Sequence, residues 1–452
     1  MSRDLVAVRT GVYHDSVSLM RVSSALSELA GVEVAIVAMA TKLNLGLARD
    51  LGFELPPADP SDLLVAVRAD DVDAATGELD RLLGALSSRQ VAESADYPPR
   101  TTRSAARRGG ASVVLVSVPG EYAFAEAADA IEAGLDVMVF SDNVPLEQEV
   151  RLKELAAERG VLVMGPDCGT AVIGGAGLGF ANVLRPGPVG VVAASGTGAQ
   201  QVTSLLDLAG VGVSHVLGVG SRDLSAEVGG RSTTAALRML DEDPATELIV
   251  LVSKPPSEET ARAVREVVEK LRTPVVTALL GTGGPDLTAA AEAALRALGR
   301  EAPRWPSWPR PAVSGRLRGL YSGGTLCTEA RIIAGGGEFV DYGDDAYTRG
   351  RAHPMIDPTL RLEALASAEP GDVVLMDVVL GHGAEADPAA RLAPAIAAAG
   401  VPVVIALIGT EGDPQGLRRQ AEALYAAGAS VFTSNAEAAR HVGTPTDKRG
   451  RS

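Results

Sequence analysis

Short apolar runs alternate with stretches of helical spacing along most of the chain, the pattern of doubly wound α/β domains. Runs at 32–38 and 63–67 predict strands, and helical spacing over 16–29 and 42–51 completes a small α/β unit at 1–86. The pattern then stops. Between 87 and 110 the residues are polar, with Pro98, Pro99, Arg100, Arg103, Arg107 and Arg108, and predict a solvated linker. Order resumes with strands at 113–118, 136–140 and 161–164 around helices at 123–133 and 146–159, so 111–186 reads as a mononucleotide-type half sheet. A second unit, 187–299, has strands near Val189 and at 211–219, 248–252 and 274–280. Residues 300–315, with Pro303, Pro306, Pro309 and Pro311, predict a stiff connector because each proline fixes φ and lacks a donor. The third unit, 316–442, has strands at 317–321, 336–342, 373–378, 401–408 and 430–433, and the polar tail 443–452 is predicted disordered.

A length of 452 residues suits about three α/β domains rather than one core. Hydrophobic residues make up 46% but aromatics only 3%, so the cores are built from Ala, Val and Leu, as in tightly packed parallel sheets. The net charge of -16 argues against a nucleic-acid partner, which needs clustered Lys and Arg or aromatic platforms. The start carries no basic segment followed by a long apolar stretch, and no run approaches the ~20 residues that span a bilayer, so a cytoplasmic location with no membrane partner is expected. With Cys168 and Cys327 alone, neither a disulfide framework nor a thiolate-only zinc site is expected.

Two Gly-rich turns of one design close apolar runs: Ser195-Gly196-Thr197-Gly198 and Ser322-Gly323-Gly324-Thr325. Each predicts a helix start, whose first N–H groups are free and attract an anion. Two such sites in separate halves suggest two helix N-termini facing one phosphate-like group; the alternative is a pair of ordinary β–α turns. The polar stretch with Asp341, Asp344, Asp345, Arg349, His353 and Asp357 offers Arg349 to a carboxylate and His353 as a proton carrier, with Asp357 beside them, or else a set of capped turns. As magnesium ligands the aspartates are disfavoured, and no metal site is expected. Cys327, in the first turn after the second loop, would have a lowered thiol pKa there, although Cys168 and Cys327 also read as small buried hydrophobes. Gly220, Arg222, Asp223 and Lys254 lie at predicted strand ends, the side where open sheets bind ligands. His215 and His382 read mainly as structural.

The words Val161-Leu162-Val163-Met164-Gly165-Pro166-Asp167-Cys168-Gly169-Thr170 and Val189-Gly190-Val191-Val192-Ala193-Ala194-Ser195-Gly196-Thr197-Gly198 resemble the α subunit of succinyl-CoA synthetase. The third unit, through Ser322 to Thr325, Asp377 to Gly383 and Gly409-Thr410, is similar to the carboxy-terminal domain of that enzyme's β subunit. The chain as a whole resembles the FdrA family, through Asp15-Ser16-Val17-Ser18-Leu19-Met20, Phe140-Ser141-Asp142-Asn143-Val144, Gly229-Gly230, Ser253-Lys254-Pro255-Pro256 and His353-Pro354-Met355-Ile356-Asp357-Pro358-Thr359-Leu360-Arg361. The resemblance implies an α/β fold: a Rossmann-like CoA-binding-type region, then two flavodoxin-like ligase domains. It also places Gly165, Pro166 and Asp167 among the substrate-site candidates.

Functionally it implies either of two classes, since the family carries an acyl-CoA synthetase label while some members look like subunits of a multi-subunit oxamate carbamoyltransferase. The synthetase relays phosphate through a histidine. Here residues 281–286 read Gly-Thr-Gly-Gly-Pro-Asp, and no histidine lies between His215 and His353. No Gly-rich loop for a CoA diphosphate is evident at 11–20, and there is no ATP-grasp domain. The expectation is therefore an anion clamp for carbamoyl phosphate formed by Ser195, Gly196, Thr197, Gly198, Ser322, Gly323, Gly324 and Thr325, with no certain cofactor. The implied partners are two co-encoded transferase subunits and a downstream carbamate kinase. CoA belongs only to the alternative, an ADP-forming acyl-CoA ligase subunit; a non-catalytic scaffold with an inherited fold is the third possibility.

Overall fold

The computed structural model describes residues 2–90, 99, 101–348 and 351–442. In the first unit β1 (Arg3–Arg9), α1 (Ser16–Ser27), β2 (Val32–Met39), α2 (Lys42–Asp50), β3 (Leu63–Ala69) and α3 (Val72–Gln90) follow in order. The sheet order is β1-β3-β2, and β3 runs antiparallel to both neighbours. Alternation along β3 explains its central place. Leu63, Val65 and Val67 pack with α1 and α3, while Leu64 and Ala66 meet Ala48 of α2 and Phe53. The sequence pattern predicts no strand at β1, and the sheet is antiparallel where the alternation predicts a parallel one. Strand–helix alternation is the same for both, and pairing direction depends on distant residues.

The stretch expected to be a linker is partly built. α3 continues to Gln90, and α4 (Thr102–Ala106) is held by a capping box between Thr101 and Ser104. Arg103 on α4 pairs with Asp129 and Glu132 of the following helix, so part of the Arg cluster serves docking. Arg100 lies outside the described residues. β4 (Val113–Val116), α5 (Gly120–Glu132), β5 (Asp136–Val139), α6 (Leu146–Arg159) and β6 (Val163–Met164) then form a parallel sheet of order β4-β5-β6, the predicted half sheet.

The hairpin β7 (Thr170–Ile173) and β8 (Ala176–Gly179) is not among the predicted strands, and the sequence pattern places residues 165–186 with the half sheet. The structure instead pairs β7 antiparallel to the next sheet, which is completed by β9 (Pro186–Ala193), α7 (Gly196–Leu208), β10 (Val213–Gly218), α8 (Arg231–Glu242), β11 (Leu248–Ser253), α9 (Glu258–Val268), β12 (Val275–Leu279) and α10 (Leu287–Ala297). Its order is β12-β11-β9-β10-β7-β8.

The proline-rich connector contributes β13 (Ser307–Trp308) to the edge of the last sheet and buries Trp305, so it is docked rather than a free spacer. The remaining elements are β14 (Arg316–Tyr321), α11 (Gly324–Ala334), β15 (Glu338–Asp341), α12 (Asp345–Thr348), α13 (Thr359–Ala366), β16 (Asp372–Val379), α14 (Pro388–Ala398), β17 (Val403–Ile408), α15 (Leu417–Ala426), β18 (Ser430–Phe432) and α16 (Asn435–His441). The sheet order is β13-β18-β17-β16-β14-β15. Central strands such as β11 and β17 are buried along their whole length, which requires the near-continuous apolar runs seen in the sequence.

One apolar cluster joins the two six-stranded sheets through α7, α10, α11 and α16. Its helix residues include Ala199, Ala290, Ala294, Ala330 and Ala438, and such small side chains let helices approach closely. The aromatic-poor composition thus becomes a tightly packed helical layer between sheets, and that packing holds two helix N-termini side by side. No described helix is long and apolar enough to cross a membrane.

Candidate functional site

Strand order places the site. β9 has β10 on one side and β11 on the other, and β14 has β15 on one side and β16 on the other. Both are points where the sheet reverses its winding, so a crevice opens at their carboxyl ends. α7 follows β9 and α11 follows β14, and their first turns touch. A Cβ on Gly323 would lie 2.6 Å from Thr197 Oγ1, and one on Gly198 would lie 3.1 Å from Thr325 Cγ2. Glycine is required at 323 by this approach. The predicted pair of facing N-termini is therefore present, at a cavity of about 290 Å³.

The donors are arranged differently from expectation. Ser195 Oγ accepts Gly198 N–H as the N-cap of α7, leaving the Gly196 and Thr197 N–H groups without a protein acceptor among the described residues. In the second loop, Asp377 already occupies the anion position. Its carboxylate accepts Ser322 N–H at 2.7 Å, Ser322 Oγ–H at 2.9 Å and Gly323 N–H at 2.9 Å, and Arg361 Nη1 donates to it at 3.0 Å. Ser322 and Gly323 thus shape the loop, and the open donors move on to the Gly324 and Thr325 N–H groups. Thr325 is 1% exposed, and its Oγ1, itself buried, has no partner among the described residues. Asp377 went unnoticed as a site-builder because in sequence it is one more residue of a buried strand; its charge inside Val-Val-Leu-Met-Asp-Val-Val was the available signal.

Lys254, at the end of β11, lines the cavity close to Gly324 and Asp341. Burial pushes Asp341 up to about 6 despite its Gly343 N–H bond and Lys254. Asp167 is exposed at the cavity and accepts Ser221 Oγ–H at 2.7 Å; partial withdrawal from water, with Asp142 and Asp345 nearby, raises it to about 6. His353 lines the same cavity, and burial, then the Arg361 charge, pushes it down to about 4. Its Nδ1 accepts Met355 N–H at 3.3 Å, so the proton of the neutral ring sits on Nε2. The role expected of it as a proton carrier near neutrality changes to that of a neutral N–H donor. Burial also drives both thiols up to about 12, and for Cys327 the neighbouring Asp341 and Asp377 add to it. This overturns the lowered pKa expected from its place in the first turn of α11.

Several other candidates fall outside the cavity. Asp357 accepts Thr359 N–H and Oγ1–H at the start of α13 and pairs with Arg391 at 3.2 Å, a structural role. Arg222 donates to Glu149 at 2.9 Å and to Val144 O at 2.8 Å. Asp223 is buried, accepting from Lys153, Ser232 and Thr233. Both belong to an ion network between α6 and α8, because the turn after β10 folds back onto α6. Gly220 and Asp167 line the cavity, whereas Gly165 and Pro166 shape its turn from behind. Asp344 caps the start of α12 through Ala346 N–H. Arg349 lies outside the described residues. His215 accepts Gly174 N–H, and His382 bridges Ala181 through its backbone, as structural residues do. None of residues 281–286 lines the cavity.

The first unit supplies a wall that the sequence did not reveal: Ser16, Val17 and Met20 of α1 line the cavity. The Asp15 carboxylate at its start accepts Ser18 N–H, so a carboxylate already fills the N-terminus of α1, in the region 11–20 where a CoA diphosphate loop would lie.

Residues 1–99 match the family model described as AllF, heavy metal-associated domain, and residues 320–444 match that described as CoA-ligase. The matched amino-terminal residues contain no cysteine and one histidine, the buried His14, and no group of three His, Cys, Asp or Glu able to hold a metal ion occurs among the described residues. That donor set does not fit a soft metal ion. The protein YahF of Escherichia coli K12 is 36% identical over 95% of this chain and 96% of its own length. Subunit α 2 of the ADP-forming succinate–CoA ligase of Archaeoglobus fulgidus is 28% identical over 41% of this chain, and the match spans 64% of that subunit, under two thirds of its length. Among solved structures, the dinucleotide-forming acetyl-coenzyme A synthetase 1 of Ca. Korarchaeum cryptofilum aligns over 77% of this chain and 88% of its own, at 17% identity and a TM-score of 0.33.

Proposed function

We propose, from the premise that the chain belongs to the FdrA-like family and joins an AllF-type amino-terminal domain to a CoA-ligase domain, that it is a subunit of an oxamate/oxalurate-type carbamoyltransferase. In one direction phosphate attacks the carbamoyl carbon of oxalurate. A C–O bond forms, the C–N bond to oxamate breaks, the oxamate nitrogen takes up a proton, and carbamoyl phosphate leaves. The observation that carries this reading is the pair of contacting helix N-termini, which brings the N–H groups of Gly196, Thr197, Gly324 and Thr325 to one cavity. Such preformed donors favour a phosphate dianion and the charge that grows on it in the transition state. Lys254 adds a full charge beside them. Neutral His353 can donate Nε2–H to a carbonyl oxygen, and Asp341 has a carboxyl suited to moving the nitrogen's proton.

Two co-encoded transferase subunits complete the complex, and a carbamate kinase consumes the product. No cofactor is required by this scheme. The second reading, an ADP-forming acyl-CoA ligase subunit, is favoured by the CoA-ligase match and the succinate–CoA ligase relative. It requires a phosphate carrier and a CoA cradle, and neither residues 281–286 nor the Asp15-capped α1 suits those parts.

The test is phosphate-dependent formation of carbamoyl phosphate from oxalurate by the chain purified with its co-encoded partners. Product that disappears in Gly323→Val, whose side chain collides with Thr197, supports the reading. Absence of product, with CoA-dependent ATP hydrolysis on adding an acyl acid, overturns it in favour of the ligase.

A further inference from the structure

Among the described residues two cations line the clamp cavity, Lys254 and Arg351, against four aspartates, Asp142, Asp167, Asp341 and Asp345. Lys254 Nζ lies at the start of α11, 2.7 Å from the position of a Cβ on Gly324, and so serves the phosphate end. Arg351 stands elsewhere. It lines the clamp cavity and two adjoining cavities of about 330 and 150 Å³, a junction it shares with Met20 of α1, while Lys254 lines neither of the other two. The residue is exposed, and its guanidinium has no hydrogen bond or ion pair among the described residues. Its acidic neighbours do not neutralise it. Asp357, which lines the smallest of the three cavities with it, is paired with Arg391 at 3.2 Å. Asp345 begins α12, and no ion pair joins it to Arg351.

A second negative group on a substrate held at the clamp is repelled by the aspartates, and the Arg351 guanidinium is the place that receives it. Its planar fork matches the two oxygens of a carboxylate, and at a wall shared with the apolar Val17 and Met20 the attraction is less screened than in open water. The sequence pattern offers Arg349 for this task; Arg351 is the arginine that the structure brings to the cavity. We propose that Arg351 is the specificity-determining anchor for a substrate carboxylate, so that the molecule meeting phosphate at the clamp is an N-carbamoyl amide that also carries an acid group, and not a neutral urea. This rests on the carbamoyl-transfer reading above and names its substrate class. Arg351 exchanges no proton in the transfer. The carboxylate stays on the departing oxamate, so the guanidinium holds substrate and product alike, and its loss is felt in KM rather than kcat.

The test titrates the full chain calorimetrically, with inorganic phosphate present, using oxamate and pyruvamide, in which a neutral acetyl group replaces the carboxylate. Oxamate should bind at least about tenfold tighter to the wild-type chain. Arg351→Gln should bring the ratio near one while leaving affinity for inorganic phosphate in place, its folding checked by thermal melting, and Arg351→Lys, which keeps the charge without the fork, should restore part of the preference. In the assembled complex Arg351→Gln should raise KM for oxalurate by a similar factor with kcat little changed. Equal binding of oxamate and pyruvamide to the wild-type chain, or failure of both to bind, overturns the proposal. A folded Arg351→Gln chain that keeps the preference does the same, as does one that loses phosphate to the same degree, which would make Arg351 part of the phosphate site. Oxamate preference that depends on Arg351, in a chain whose assembled complex does not cleave oxalurate, leaves the carboxylate subsite standing and removes only the transfer assignment.

Discussion

At the residue scale the site is governed by which polar groups are already paired. Ser195, Ser322 and Gly323 were expected to hold phosphate, yet the first caps its own helix and the other two hold Asp377. Those bonds require a serine or a close backbone approach for reasons a motif cannot distinguish from ligand binding. Lys254 and Asp341 give a measurable consequence. Asp341 is raised to about 6, so a reaction using its carboxylate as the proton acceptor should slow about tenfold per pH unit below that value. Lys254 opposes the rise, and Lys254→Met should therefore move the inflection upward, while Asp341→Asn should remove it. The pH–rate profile of carbamoyl transfer by the assembled complex checks this; an inflection that stays put in Lys254→Met would exclude Asp341 as the group observed.

At the element scale, helices α10, α11 and α16 are tied by one buried carboxylate. Glu329 on α11 accepts Leu287 N–H at the start of α10 and Asn435 Nδ2–H on α16, at 2.6 and 2.7 Å. Burial raises it from 4.5 to about 7. Because the folded value is the higher one, the stabilisation it allows is complete below the unfolded value and is lost as pH rises through the folded one. Unfolding free energy should fall by about 3 kcal/mol between roughly pH 4.5 and 7 from this group. Chemical denaturation across that range tests it: Glu329→Gln, which imitates the neutral carboxyl, should flatten the slope. The elements themselves were largely legible, since β11 and β17 are near-continuous apolar runs and β16 is one broken by a single interior charge, but β1, β13 and the β7–β8 hairpin were not. Short edge strands with few apolar residues, such as Ser307-Trp308, owe their conformation to the strand they join.

At the scale of the whole molecule, the first unit leans over the cavity on few directional contacts. Arg391 of α14 pairs with Glu28 at 3.2 Å, and the Tyr13 hydroxyl donates to Ser117 O at 3.3 Å. An exposed ion pair of this kind contributes about 0–1 kcal/mol. Glu28→Gln combined with Tyr13→Phe should therefore leave the melting temperature nearly unchanged while loosening the unit, seen as faster hydrogen exchange in α1 around Met20. Unaltered exchange there would mean that apolar contacts alone dock the unit.

The sequence by itself determined the α/β class, the family, the two glycine turns and the lack of a histidine at 281–286, because each is a matter of local composition and spacing. Only the tertiary structure decided which donors remain open, that Asp377 holds the loop before α11 and Asp15 caps α1, that His353 is neutral, and that Gln200 Oε1 is left without a partner among the described residues. Hydrogen-bond satisfaction and burial are properties of pairs brought together from residues far apart in the chain, such as Gln200, Asn182 and Asp413. One residue's identity states what it can donate or accept, and the fold decides what is left for a ligand.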